Sequence, residues 1–517
     1  MGVEIKSKLH CHTFYTNMKR RKFIIQSSVG MIAAFPVMKN LSVLDTPFFT
    51  TGIKIGEITA TSAIVWARLT VNESRVKDTG IHPTILYWDD AVNEWHDTAY
   101  FDKKYKMGRP DKNVKVVMPD GHTLQTLDGA VPGIAGQISI KYRPIGTTEW
   151  QATKWIQVTT ETDYATQFNL YPLEANTKYE INVLGKTNTK GIKIMEGNFS
   201  TAPKNEKVAP INFMVTTCHE YSHQDDPMNG GFKIFKEMQK LNPQFLVHTG
   251  DVLYHDQIAK NLDLAKWNWQ KMNSLPNNVA FYQNVPCYFM KDDHDTWMND
   301  CHAATKTKFM GDFTFKQGAA LFNQQVPHSE KSYRTFRWGK DVQIWLFDGR
   351  DYRMPNEMPD GPDKTIWGKE QMAWFKETYK SSDATFKILI SPTPIIGPDR
   401  PQKKDNHANS NFIFEGDEIR GFIQGDKNTF VVCGDRHWQY VSKHLKTGTY
   451  EFACGPASDE HAGGWKKDEV YREHEYLNIV GGFLNIQANR QNDIPNIQFT
   501  HYSVDGNILH QKQFLAS

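Results

Sequence analysis

Five short polar segments each follow an apolar run: Thr217-Cys218-His219-Glu220, Gly250-Asp251-Val252-Leu253-Tyr254, Lys291-Asp292-Asp293-His294-Asp295, Ser391-Pro392-Thr393-Pro394 and Gly434-Asp435-Arg436-His437. Together they hold a thiol, a phenol, imidazoles and several carboxylates, the groups that ligate metal ions and move protons. Singly, each has an ordinary structural explanation. Gly-Asp after a strand makes a turn, Cys218 fits a core as a small thiol, Tyr254 suits a strand edge, and Asp293 or Asp435 can cap a turn. Their order and shared position favour one site, because ligands of α/β folds gather beyond the carboxyl ends of the strands.

The elements that must position these segments follow from hydrophobic periodicity. From Ile211 onward, apolar runs at Ile211 to Thr216, Gln244 to His248, Val285 to Met290, Val342 to Phe347, Phe386 to Ile390 and Thr429 to Cys433 read as buried strands. Helical spacing lies between them, as in Phe232-Ile234-Phe235-Met238-Leu241 and Met372-Trp374-Phe375. The expected fold is a layered α/β domain over residues 204–517. Residues 48–203 show short alternating β runs, such as Lys54 to Thr59 and Ala63 to Leu69, and read as an all-β sandwich. Leu173, Thr177, Tyr179 and Val183 have the spacing of the last strands of fibronectin- or immunoglobulin-like modules, where a corner tyrosine bonds back to the backbone. Phe101 to Val131, rich in Lys, Asp and Gly, reads as an insertion or long loop in that module.

With these residues in view, the chain resembles the alkaline phosphatase D branch of the calcineurin-like metallophosphoesterases. The resemblance is carried by Gly250-Asp251-x-x-Tyr254, Tyr288-Phe289-Met290-Lys291-Asp292-Asp293-His294-Asp295, Asp348-Gly349-Arg350-Asp351-Tyr352-Arg353, Gly368-Lys369-Glu370-Gln371 before Trp374, and Gly434-Asp435-Arg436-His437. It implies a metallophosphoesterase-type β-sandwich core flanked by helices, behind an N-terminal fibronectin-like domain. It also implies a dinuclear or trinuclear metal centre of ferric iron and calcium. Cys218 takes the place of the first aspartate ligand of the wider superfamily, and Glu220 stands where that superfamily has a histidine.

The residues support this independently. Two metal ions about 3.5–4 Å apart need a bridging carboxylate, and Asp251 has that chemistry. Cys218, Tyr254 and His437 form a mixed sulfur, oxygen and nitrogen set that suits ferric iron, because thiolate and phenolate offset high metal charge. Asp293 and Asp435 add oxygen ligands for a harder ion, with calcium, magnesium or manganese favoured over zinc. Asp251 and His294 are the catalytic candidates. A metal-bound hydroxide would attack phosphorus in line, and His294, matching the superfamily's histidine, would protonate the departing alkoxide or stabilise the transition state. Arg350, Arg353 and Arg436 have the fork geometry for clamping phosphate, or serve structurally beside aromatic neighbours.

Bulk properties narrow the class. A chain of 517 residues with 39% hydrophobic residues, 14 Trp and 30 Phe supports more than one core. The net charge of +2 with no long basic run outside the N-terminus does not support a nucleic-acid surface. Six cysteines without regular spacing make neither a disulfide scaffold nor a zinc ribbon, and leave a Cys301–Cys454 pairing open. Lys19-Arg20-Arg21-Lys22-Phe23 before the short apolar stretch Ile24 to Met38 reads as a twin-arginine export signal within residues 1–47, with Met18 as a candidate start. The expected protein is therefore an exported phosphoesterase of the periplasm or cell surface, without a transmembrane anchor, acting on a small-molecule or polymer phosphoester. A lipid- or cell-wall-specific diesterase and a non-catalytic secreted binding protein are the alternatives.

Overall fold

The computed structural model describes residues 46–77, 79–187, 191–466 and 468–517; the twin-arginine segment, Met18 and Cys11 lie outside them. In the strand Ile211–Thr216 the side chains alternate between two buried environments. Phe213 and Val215 join one apolar cluster and Met214 another. The same division holds in Phe245–His248, where Phe245 and Val247 separate from Leu246. Strands covered on both faces carry continuous apolar runs, which is how they announce themselves in a sequence.

Two sheets result. The first, of six strands, runs Cys287–Phe289, Phe245–His248, Ile211–Thr216, Phe483–Gln491, Ile494–Tyr502, Ile508–Leu515. The second, of seven, runs Arg334–Trp338, Val342–Leu346, Phe386–Ser391, Thr429–Cys433, Tyr450–Cys454, Gln439–Lys443, His474–Asn478. Their inner faces share one cluster, in which Phe213, Val247, Leu484 and Phe499 from the first sheet join Ile344, Ile388, Val432 and Phe452 from the second. Helices cover the outer faces. Phe235 and Met238 of Ile234–Lys240, Trp269 of Leu262–Asn273 and Phe322 of Phe315–Gln325 pack with Met214 and Leu246. Phe375 of Gly368–Lys380 and Ile419 of Ile413–Phe422 pack with Trp345, Leu389 and Val431.

Before residue 204 the chain is mainly strand. Ile53–Gly56, Ala63–Arg68 and Ala165–Leu170 form one sheet, and Ile192–Ser200, Lys178–Lys186 and Gly136–Pro144 the body of another. The Tyr179 hydroxyl accepts from the Glu174 backbone N–H at 2.9 Å. The stretch 101–131 departs from the loop expectation. It contains the end of helix Thr98–Tyr105 and strand Val114–Val117, which pairs with Thr84–Asp89. Its Leu127 and Ala130 pack on Leu264 and Trp267, because apolar residues spaced among its charges supply a buried stripe. Buried side chains run across residue 203 without a break: Arg334 pairs with Glu57 at 2.7 Å, and the Tyr288 hydroxyl donates to the Ile58 carbonyl at 2.6 Å.

Among the described residues no helix is long and apolar enough to cross a membrane. Cys301 and Cys454 are free, buried thiols in different clusters, so they do not pair.

Candidate metal centre

Three predicted ligands sit in backbone that side chains rarely adopt. Cys218, Asp251 and Asp435 have φ of 54°, 56° and 61°, each in the turn that follows a parallel strand. Left-handed backbone at a non-glycine residue costs on the order of 1 kcal/mol, and it persists where surrounding structure over-determines it. Gly250, with φ of 112°, lets two turns meet: a Cβ there would lie 2.6 Å from the Cβ of Asp292.

Asp251 lies at the middle. Its Oδ2 is 3.3 Å from the Cys218 Sγ and 3.3 Å from the Tyr254 hydroxyl, which is itself 3.4 Å from the His437 Nε2. Four of the predicted ligands thus stand together. On its other side Asp251 belongs to two further groups, each with ligand atoms within 4.8 Å of one another: one with Asp293 and His294, the other with Asp292 and Asp435. Asp292, which the sequence reading passed over, therefore joins Asp435, while its neighbour Asp293 faces His294. The Oδ1 of Asp251 and the Oδ2 of Asp292 are buried without a hydrogen-bond partner among the described residues.

The electrostatics match this geometry. Burial raises the Asp251 carboxyl well above its ordinary range; the nearby His294 opposes this and the charges of Asp293 and Asp292 add to it. Burial, followed by the charges of Asp251 and Asp435, pushes the Cys218 thiol up. Burial and then Asp251 do the same to the Tyr254 phenol. Burial holds His437 neutral, with a lone pair free for a cation. Buried acids that resist ionisation alone are acids that a multivalent cation would ionise, and the two partnerless oxygens are where it would bind. The donor set fits a metal pair.

The surroundings hold these groups still. Asp295 accepts from the backbone N–H of Asp251 at 3.1 Å and of Asp292 at 2.7 Å, so one carboxylate ties two turns. His294 Nδ1 lies 2.6 Å from Asp256 Oδ1, and Arg109 Nε is 2.9 Å from Asp256 Oδ2. The three arginines are buried and engaged inward: Arg350 pairs with Asp292, Arg436 with Asp399, Asp405 and Asp435, and Arg353 bonds Asn356. Arg350 and Arg436 pair with carboxylates, whereas Arg353 is held by the Asn356 amide oxygen and the Asp405 carbonyl. His219 turns away to His248, ring nitrogens 2.6 Å apart. The Ser391 carbonyl accepts from Gly434 N–H at 3.1 Å, so the segment Ser391 to Pro394 contributes backbone support. Of the polar residues beyond 455, His461 reaches the site, its ring 3.9 Å from that of His437, whereas Trp465 and His474 pack on Trp438 and Tyr440. Asp256 and Arg109 carry no signal in the sequence, and Asp292 and Asp295 stand in the run Asp292-Asp293-His294-Asp295 with no role assigned to either.

Acids, a thiol and imidazoles thus converge at the strand ends of a layered α/β fold. Residues 213–507, more than half of the chain, match the PhoD-like phosphatase family, and the chain belongs to it. Alkaline phosphatase D of Bacillus subtilis (strain 168) is 22% identical over 378 residues, 61% of this chain and 60% of that protein's length. Among solved structures, that of PhoD superposes with a TM-score of 0.67 at 15% identity, covering 92% of both chains. A purple acid phosphatase from yellow lupin (Lupinus luteus) seeds gives 0.60 at 11% identity, over 91% of this chain and 74% of that one. Both share the fold.

Proposed function

We propose that this chain is an exported metal-dependent phosphoesterase that hydrolyses phosphate monoesters, diesters or both. The observation that carries the reading is Asp251, a buried carboxylate shared by three groups of potential ligands with one oxygen left unbonded. Cys218, Tyr254 and His437 would hold ferric iron, and Asp292, Asp293 and Asp435 a harder ion such as calcium, with Asp251 between. Bound there, the metal pair would supply Lewis-acid charge to the phosphoryl oxygens and acidify a water near neutral pH. His294, held at Nδ1 by Asp256, keeps Nε2 for protonating the leaving oxygen. The names of its relatives support the same reaction class. The arginine pair Arg20-Arg21 supports export to the periplasm or cell surface.

The test is hydrolysis of a chromogenic monoester and diester, with and without calcium, by wild type and Asp251→Asn. Hydrolysis of at least one ester that disappears in the variant is expected, and the preferred ester decides between monoesterase and diesterase. Inactivity on both by protein with a full metal complement would favour a binding protein on the same scaffold.

A further inference from the structure

At the rim of the centre lies a second set of ligand atoms. Glu220, His223 and His461 each offer one, and the three atoms lie within 4.8 Å of one another. Glu220 and His223 bracket the 3-10 turn Tyr221–His223, whose geometry stacks residues three apart on one side. His461 arrives from a second such turn, Asp459–His461. The turns are tied together, since the Asp459 N–H donates to Asp225 at 3.1 Å while the Asp459 carboxylate accepts from Gly481 at 2.8 Å. The rings of His223 and His461 lie 5.1 Å apart and nearly parallel.

The nitrogens are disposed for ligation. His461 Nδ1 faces the Cys218 carbonyl at 3.4 Å, which places its proton there and leaves the Nε2 lone pair free. His223 Nδ1 is buried with no hydrogen-bond partner among the described residues. All three side chains are partly exposed, so a cation held by them would keep an open position toward solvent.

We infer that Glu220, His223 and His461 bind a third metal ion, a divalent transition ion of the zinc type, beside the central pair. Two imidazoles and one carboxylate are a zinc donor set with room for an exchangeable ligand, whereas calcium takes six to eight oxygens. None of the three residues belongs to the groups around Asp251, so the site is separate. The His461 ring is nevertheless 3.9 Å from that of His437 and 5.2 Å from that of Tyr254. A rim cation so placed would hold an anionic part of the substrate against the centre, a use that rests on the phosphoesterase reading; the binding itself does not.

Metal-stripped full-length protein dialysed against Zn2+ and analysed for metal tests this, with Co2+ absorption as a spectroscopic probe. Wild type is expected to take up one equivalent more than His223→Ala or His461→Ala, both of which refill the central positions. Asp251→Asn is expected to lose central metal but retain the rim equivalent and its Co2+ band. Equal metal content in wild type and both histidine variants overturns the rim site and leaves the central reading standing. Loss in the histidine variants with unchanged content in Asp251→Asn upholds the rim site and overturns the central one.

Discussion

His294 Nδ1 lies 2.6 Å from Asp256 Oδ1, and both residues are buried. Burial opposes charge on the imidazole, but Asp256, Asp293 and Asp251 outweigh it and raise its pKa well above the ordinary value, the direction a proton donor needs. His294→Ala is expected to lower kcat by about 10²–10⁴ while elemental analysis shows the metals retained. Asp256→Asn, which removes the charge that orients the ring, is expected to cost about 10–100-fold in kcat with little change in KM. Metal lost in proportion to activity would make His294 a structural ligand.

Cys218 and Tyr254 both approach the same Asp251 oxygen at 3.3 Å. If they hold ferric iron, the purified protein absorbs in the visible through ligand-to-metal charge transfer, and Cys218→Ala and Tyr254→Phe shift or abolish that band. Absorption spectra with parallel iron analysis decide it: a colourless, iron-free wild type removes the thiolate–phenolate assignment.

The crowding of Asp251, Asp292, Asp293 and Asp435 has an opposite effect on the stripped protein. Asp251→Asn removes a buried acid whose folded-state pKa is raised by burial, so that folding of the metal-free chain at neutral pH requires a proton uptake. It is expected to stabilise the metal-free chain by about 0.5–2 kcal/mol while abolishing hydrolysis. Denaturant melts of stripped wild type and variant measure this, and a less stable variant contradicts it.

Far from the centre, Arg490 on the six-stranded sheet makes two bonds to Asp341 beside the seven-stranded one, at 2.9 and 2.8 Å. Burial raises the Asp341 pKa, but Arg490 and Thr385 overcome this and hold it below the ordinary value. A depressed folded pKa means stability that is fully present above the unfolded carboxylate value, about 4, and lost as pH falls through the folded one. Asp341→Asn is expected to cost about 1–3 kcal/mol at pH 7. The difference should narrow in thermal melts below about pH 4; a gap independent of pH would assign the effect to packing.

Much of this was legible because fully buried parallel strands are apolar throughout and their polar ends stand out. Cys218, Asp251, Tyr254, Asp435 and His437 stand out that way, and the distances above bring them together. Which of Asp292 and Asp293 faces Asp435 depends on how one turn is wound, and adjacent identical residues carry no sign of it. Asp256 acts through a bond to His294, 38 positions away, and Arg109 comes from a stretch whose charges resemble a solvated loop. Such partners are chosen by tertiary packing, not by local pattern. His461 carries no local signal, and its company with Glu220 and His223 requires two distant turns to meet.

The strand Ile211–Thr216, which leads into Cys218, is flanked on one side by Phe245–His248 and on the other by Phe483–Gln491 near the end of the chain. A nascent chain that has reached His437 already carries every central ligand, yet it still lacks the neighbour that completes the first sheet. Pairings between segments so remote in order form late. A metal held by these residues would therefore be expected only once the C-terminal strands have joined the first sheet.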